Sequence, residues 1–177
     1  MTKKFRLLLL DACVVIELFK RGIWEDVLDR CEIHLARTVV DEAHFYEDDL
    51  GERHYFDLLE YEADGKIAVF DVPLTEIRNF LSRFGPSYME SLHDGEAESL
   101  AYLFNSSEPC LICSADKIVY RVLGNTNKGE QGISLQEILE QVGLGRKLSK
   151  PFGKQYREYW TGKGMQEGLR DQGWQGL

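Results

Sequence analysis

The sequence predicts an α/β fold, a three-layer α/β/α domain with a mainly parallel central sheet. Four short segments rich in apolar residues, at residues 5–10, 33–36, 66–72 and 110–113, are predicted strands, and the leucine run of the first is typical of a strand buried on both faces. Segments with apolar residues at helical spacing lie between them. This alternation of strands and helices is typical of parallel sheets, whose ligands bind at the carboxyl ends of the strands.

The first strand, residues 5–10, is predicted to end at Asp11. Residues 12–20 follow as a helix, because their apolar side chains recur at helical spacing. Gly22 is the predicted stop, since glycine readily adopts the left-handed conformation that ends many helices. The chain therefore opens with a buried strand, an acid and a helix.

The second predicted strand, residues 33–36, leads into a helix that we expect to extend to Phe45. Thr38 is its expected N-cap, since a threonine hydroxyl can accept a hydrogen bond from the first turn. Glu42 then lies on the first turns of this helix. The acid-rich residues 47–64 are expected to form an exposed helix pair or a loop.

The second half of the domain repeats the pattern. Residues 75–84 and 87–92 are predicted to be helical, and residues 95–104 form a clearly amphipathic helix. The fourth strand then delivers Asp116 to the start of a helix that ends at Gly124.

Composition and charge limit the class of protein. The 177 residues are 44% hydrophobic and 29% charged, which allows one sizeable core and argues against a disordered chain. The longest apolar run, residues 7–16, is interrupted by Asp11 and is shorter than the roughly 20 residues of a membrane span. We find no cleavable signal peptide and expect a cytoplasmic protein without a membrane partner. The net charge of -9 repels nucleic acid, so nucleic-acid binding requires a local basic patch or bridging metal ions.

The chain changes character after residue 145. Residues 1–145 are predicted to form the main domain, and residues 146–177 a C-terminal extension that is helical and then frayed. From Lys150 onward the extension has more basic than acidic residues, with aromatic residues interleaved. Two interpretations stay open: the extension grips RNA or a partner, or it is a helix packed on the domain. We assign it no catalytic role.

Three acidic residues stand where strands pass into helices. Asp11 ends the first strand, Asp116 follows the fourth, and Glu42 lies on the helix after the second. Carboxylates that converge at one sheet edge raise one another's pKa, and a divalent cation removes that conflict. Mg²⁺ prefers oxygen ligands, so these acids indicate a magnesium or manganese site. The competing interpretation is that each acid only caps a helix.

A fourth acid is expected from the start of the amphipathic helix, where Asp94, Glu96 and Glu98 crowd together. Asp94 and Glu98 are four residues apart and share a helix face, whereas Glu96 points about 160° away from Glu98. The competing interpretation is an acidic first turn that the helix dipole favours. The residues alone leave open which of these acids contributes.

These features resemble the PIN-domain ribonucleases over about residues 5–142. In that family an apolar strand ends in an aspartate, a glutamate lies on the helix after the second strand, an acid opens a later helix, and a Thr/Ser-x-Asp motif follows the next strand. Four segments of this chain carry the resemblance: LLLDACVVI (8–16), TVVDE (38–42), GEAESLA (95–101) and LICSAD (111–116).

The resemblance implies a metal-dependent endoribonuclease with four catalytic acids. Asp11, Glu42 and Asp116 map directly. Glu98 is the preferred remaining acid because its separation from Asp116 suits the helix, turn and strand between them, and Glu96 is the alternative. Asp11, Asp116 and one of these two glutamates would hold Mg²⁺ or Mn²⁺, and Glu42 would complete the site. Water activated by the metal would hydrolyse the RNA phosphodiester bond.

Two positions depart from the family pattern. Ala12 and Cys13 stand where the family usually has threonine or serine and then asparagine, whose side chains support the site. Ser114, in contrast, matches the family's hydroxyl position two residues before the last aspartate. The main alternative is therefore a non-catalytic PIN-like module that binds RNA or protein.

The resemblance also implies partners. RNA is the expected substrate, and many PIN domains are toxins of toxin-antitoxin pairs, so an antitoxin protein and a second copy in a homodimer are the other candidates. Basic side chains near the sheet edge would guide the RNA. The candidates are Lys20, Arg21, Lys117, Arg121 and Lys128.

Overall fold

A computed structural model describes residues 4–170 of the chain. Four of its strands form one parallel sheet in the order β5-β2-β1-β6, and β3 pairs antiparallel with β4 in a separate ribbon. The strands are β1 (Phe5–Leu10), β2 (Cys31–Ala36), β3 (Phe45–Glu47), β4 (Arg53–Tyr55), β5 (Ala68–Phe70) and β6 (Leu111–Cys113). The predicted α/β fold with a parallel sheet is confirmed.

Helices connect and flank the strands. Within residues 4–170 they are α1 (Ala12–Lys20), α2 (Trp24–Arg30), α3 (Arg37–Glu42), α4 (Leu58–Ala63), α5 (Leu74–Leu81), α6 (Pro86–Met89), α7 (Asp94–Asn105), α8 (Lys117–Asn125), α9 (Leu135–Gln141) and α10 (Lys154–Leu169). Short 3₁₀ turns occupy Gly129–Gln131 and Lys150–Phe152. None of these helices is long and apolar enough to cross a membrane.

Core residues pack on both faces of the sheet. Leu8 and Leu10 of β1 belong to one buried cluster, with residues of α1, α2, α3 and α9. Leu7 and Leu9 belong to a second cluster, with residues of α5, α7 and α8. Successive side chains of a strand point to opposite faces, so β1 must be apolar at both. This explains its continuous leucine run, in which each fully buried leucine contributes about 1.5–3 kcal/mol.

The strand order places a topological switch beside β1. The chain passes from β1 to β2 on one side, whereas β6 pairs with β1 on the other. Two connections therefore leave the carboxyl end of the sheet in opposite directions, and the crevice between them is where open α/β sheets bind ligands. Asp11 and Asp116, which follow β1 and β6, both lie at this crevice.

Two expectations about α3 are wrong. The helix ends at Glu42 and does not continue to Phe45, which begins β3. Ala36 occupies the N-cap position, and Thr38 lies inside the first turn. The Thr38 hydroxyl donates a hydrogen bond to the Glu98 carboxylate of α7. The Thr38 side chain therefore binds Glu98 of another helix and does not cap α3.

The acid-rich residues 47–64 are only partly a helix or loop. Residues 53–55 form β4, which pairs with β3 across a turn that Asp48 closes. The Asp48 carboxylate accepts hydrogen bonds from the backbone N–H groups of Leu50 and Glu52, both at 2.9 Å. Gly51 has φ +79°, a conformation that favours glycine. The turn chemistry, which the sequence prediction did not use, makes a short ribbon here.

The C-terminal extension is a helix packed on the domain. The α10 helix runs against α8 so closely that a Cβ added at Gly124 would lie 2.0 Å from the Thr161 carbonyl oxygen. A Cβ at Gly164 would lie 2.0 Å from the carbonyl oxygen of Arg121. The predicted helical part is thus present, while the predicted frayed end, residues 171–177, lies outside the described residues.

Candidate metal centre

Asp11 is held rigidly at the switch point. It caps α1, accepting a 2.7 Å hydrogen bond from the Ala12 N–H at Oδ1. Its other oxygen, Oδ2, accepts hydrogen bonds from the Ser114 hydroxyl at 2.8 Å and the Cys13 thiol at 3.2 Å. Donors that follow β1 and β6 therefore hold the carboxylate in place. Asp11 is 9% exposed.

Ser114 joins this acid to the next one. While its hydroxyl donates to Asp11, it accepts a 2.9 Å hydrogen bond from the Asp116 backbone N–H. Asp116 in turn caps α8 through the Ile118 N–H, at 3.1 Å. Ser114 is fully buried and therefore sets the relative positions of the two aspartates.

Glu96 approaches from the first turn of α7. It is 4% exposed, and its Oε2 accepts a 3.1 Å hydrogen bond from the His93 backbone N–H. Burial is the largest cause that raises the pKa of Glu96 to about 8, and the charges of Asp11, Asp116 and Glu42 add to it. A carboxyl group in this position holds its proton near neutral pH unless a cation compensates the neighbouring charges.

Glu42 completes the group from α3. Gly95 allows this approach, because a Cβ there would lie 3.2 Å from Val39 Cγ2 and 3.6 Å from Glu42 Oε2. Much of Glu42 is exposed, but its carboxylate lines the same groove. Partial burial, followed by the charges of Asp11 and Asp94, raises the pKa of Glu42.

These acids line one open groove of about 760 Å³, which we call the acidic groove. His93, Glu96 and Asp116 each place one ligand atom within 4.8 Å of the others. Lys117 also lines the acidic groove. The lining residues used below are Asp11, Glu42, His93, Asp94, Glu96, Asp116, Lys117 and Tyr156. The crowded carboxylate oxygens form a donor set that Mg²⁺ or Mn²⁺ accepts.

Glu98, the preferred acid from the sequence, is not among the lining residues. It is 2% exposed, and its Oε2 accepts hydrogen bonds from both the backbone N–H, at 3.0 Å, and the hydroxyl of Thr38. Its Oε1 accepts a 2.9 Å hydrogen bond from the Val72 N–H. Since Glu98 points about 160° away from Glu96 around α7, only one of the two can face the groove. The structure brings the alternative, Glu96, to Asp11, Glu42 and Asp116, and it places Glu98 elsewhere.

Three lining residues were not predicted as site residues from the sequence. His93 directly precedes α7, and its Nδ1 lies 3.7 Å from Glu96 Oε2. Cys13, which departs from the family pattern, donates its thiol hydrogen to Asp11. Tyr156 reaches the groove from α10 of the C-terminal extension. His93 had a signal in its position beside the acidic helix start, whereas nothing local in the sequence places Tyr156.

Of the five basic residues expected to guide RNA, Lys117 lines the acidic groove. The other four have partners or ring contacts of their own. Arg121 makes two hydrogen bonds to the Glu167 carboxylate, and Arg21 pairs with Glu17. Lys20 lies 3.7 Å from Asp49, and Lys128 lies over the Phe104 ring.

Comparison of the chain with family models, with curated proteins and with solved structures found no match.

Proposed function

We propose that the chain is a metal-dependent endoribonuclease of the PIN-domain type. The observation that carries the proposal is the convergence of Asp11, Glu42, Glu96 and Asp116 in one groove at the topological switch of a parallel sheet. This is the edge at which such sheets bind ligands. The residues come from four separate helix starts or ends, as the motif resemblance predicts.

The electrostatics of the acidic groove support a cation rather than simple helix capping. Asp11 and Asp116 do cap helices, but the pKa values of Glu96, which is buried, and of Glu42, which is only partly buried, are raised by burial and by the neighbouring acids. An arrangement that only stabilised the fold would gain nothing from this repulsion. A divalent cation would offset it and would leave all four carboxylates ionised.

Asp11, Glu96 and Asp116 are the proposed ligands of Mg²⁺ or Mn²⁺. A bound ion would supply a water of lowered pKa and would offset charge on the scissile phosphate. Ser114 fixes the two aspartates relative to each other, and Glu42 orients the attacking water or completes the ligand shell. Lys117, at the rim, would attract the RNA phosphate.

The proposal includes a three-layer PIN-like domain over residues 1–145, with residues 146–177 as an extension. Core clusters on both faces of the sheet support the three layers. An antitoxin protein and a homodimer stay predictions of the resemblance. A partner that inhibits the enzyme would have to cover the acidic groove.

The test is cleavage of labelled single-stranded and structured RNAs by the purified chain in Mg²⁺, Mn²⁺ or EDTA. Asp116→Asn removes one charge but retains a side chain that can cap α8. Asp57→Asn is the matched control, because Asp57 caps α4 in the same way and does not line the groove. We expect cleavage that is lost in EDTA and in Asp116→Asn but retained in Asp57→Asn. Absence of both cleavage and metal binding would leave the non-catalytic module.

A further inference from the structure

A second groove, of about 1060 Å³, runs along the start of the C-terminal extension, and we call it the tail groove. Tyr156 lines both the tail groove and the acidic groove, so the two grooves adjoin at this residue. The tail groove is lined by Gln136, Arg146, Lys147, Leu148, Ser149, Lys150, Gly153, Lys154, Gln155, Tyr156, Tyr159 and Trp160.

The charge of the tail groove is opposite to that of the whole protein. Arg146, Lys147, Lys150 and Lys154 line it and are all exposed, and within residues 4–170 no acidic residue lines it. In this described range the first three have no carboxylate within 4.0 Å, while Lys154 lies 3.7 Å from Glu158. On a chain of net charge -9, such a group of cations attracts an anionic ligand locally.

Aromatic rings lie beside these cations. Tyr156, Tyr159 and Trp160 follow one another on α10, with ring centroids of Tyr159 and Trp160 5.0 Å apart and those of Tyr156 and Trp160 6.2 Å apart. Tyr159 is 57% exposed. Exposed aromatic faces next to lysine and arginine are what proteins use to bind single-stranded nucleic acid, since the rings stack on bases and the cations contact phosphates.

We propose that the tail groove binds the single-stranded part of an RNA and leads it past Tyr156 into the acidic groove. This inference rests in part on the proposed function, because it names the strand conformation and the path of that substrate. A chain of net charge -9 repels RNA, and the cationic tail groove would give the RNA phosphate backbone a path of approach. Duplex RNA would not expose its bases to these rings.

Binding can be measured without cleavage. A fluorescently labelled single-stranded RNA of about 12 nucleotides, within the range that single-strand binding grooves cover, is titrated with the full chain in EDTA. Lys147→Ala/Lys150→Ala is compared with Lys66→Ala/Arg78→Ala, which removes the same charge at exposed positions outside the groove. Both double variants carry a net charge of -11 (-9 - 2).

We expect the groove variant to bind RNA about tenfold more weakly and the control variant to match the unmodified protein. The slope of log affinity against log salt should become shallower by about 1.4 in the groove variant, since each lost phosphate contact on a single strand accounts for about 0.7. Equal losses in both double variants would overturn the proposal, because they would show that only the overall charge matters.

The aromatic contribution has its own matched pair. Tyr159→Ala should weaken RNA binding by about tenfold, the usual effect of losing one stacked base. Tyr55→Ala removes a tyrosine that is 73% exposed on β4 and should have no effect. Equal affinity for a duplex, or for an acidic peptide of the same charge, would overturn the proposal in favour of a general anion or protein surface.

The two proposals fail in distinguishable ways. If RNA binds in the tail groove but no metal allows cleavage, the nuclease proposal fails and the binding groove stands. If RNA is cut with a KM that is unchanged by Lys147→Ala/Lys150→Ala and by Tyr159→Ala, the nuclease stands and the tail-groove proposal is wrong.

Discussion

Glu96 and Glu98 lie two residues apart on α7 and are both buried, at 4% and 2% exposure. Their surroundings differ completely. Glu98 accepts three hydrogen bonds, from the backbone N–H and hydroxyl of Thr38 and from the Val72 N–H. Glu96 accepts one from the His93 N–H and otherwise faces Asp11, Asp116 and Glu42.

This difference separates a carboxylate that is fully used in holding the fold together, Glu98, from the one that we propose as a metal ligand, Glu96. Hydrogen-bond donors on α3 and after β5 occupy both oxygens of the Glu98 carboxylate, so Glu98 joins three parts of the chain. Burial and the surrounding like charges raise the pKa of Glu96, so its ionised form is unfavourable without a compensating cation. Burial alone does not distinguish the two; the neighbouring groups do.

The largest expected effect is that of Glu96→Gln on cleavage. Loss of a proposed metal ligand should lower kcat/KM by at least about 100-fold, since even an outer partner of a metal ligand contributes about 10- to 100-fold. In EDTA near pH 7, the unfolding midpoint in urea should be unchanged or higher, because folding no longer requires this carboxyl to take up a proton. Full cleavage by the variant would contradict the assignment of Glu96 as a ligand.

Glu98→Gln should show the opposite pattern. Its amide NH₂ would face an N–H or hydroxyl donor, leaving a buried donor unpaired and costing about 1–3 kcal/mol of unfolding free energy. Urea denaturation measures this loss. At a temperature where the variant is folded, Mn²⁺ affinity by calorimetry should match that of the unmodified chain. A loss of metal affinity without loss of stability would return Glu98 to the metal site.

Ser114→Ala should reduce cleavage by about tenfold, because the hydroxyl hydrogen-bonds to the side chain of Asp11 and the backbone N–H of Asp116, the two proposed metal ligands, and so positions them. A matched control is Ser99→Ala on α7. Ser99 is 2% exposed, and its hydroxyl has no hydrogen-bond partner among residues 4–170. The control should retain both cleavage and stability, and an equal loss in both variants would point to packing rather than to orientation of the aspartates.

A further expected effect is on the pH dependence of the free energy of unfolding. Burial and nearby acids raise the pKa of Glu96 from 4.5 to about 8, so the folded protein keeps a proton that the unfolded chain releases. In EDTA, the free energy of unfolding should therefore fall as the pH rises from about 4.5 to about 8. Thermal melting of Glu96→Gln should show a flatter profile, and an unchanged slope would contradict this cause.

The sheet could be predicted from the sequence because its signals are local. The leucine run of β1 must be apolar on both faces, and Asp11 and Asp116 follow directly from the ends of β1 and β6. The parallel order of strands brings such positions together whatever the loops do. The sequence could therefore predict that Asp11, Glu42 and Asp116 come together, and all three line the acidic groove.

The choice between Glu96 and Glu98 could not be made in this way. Helix periodicity shows that they point in different directions, but not which direction meets the sheet edge. That depends on Gly95, which allows α7 to approach α3, and on Thr38, which binds Glu98 in place of capping its own helix. Tyr156 was missed for the same reason, since its position depends on how α10 packs along α8.

The most direct test of the metal centre is a crystal structure with Mn²⁺, using anomalous scattering to locate the ion. We predict an anomalous peak between Asp11, Glu96 and Asp116, with Glu98 still bound to Thr38. Asp48, Glu52 and His54 form a second group whose ligand atoms lie within 4.8 Å of one another, on the β3–β4 ribbon. A peak only at this ribbon, with none in the acidic groove, would contradict the account.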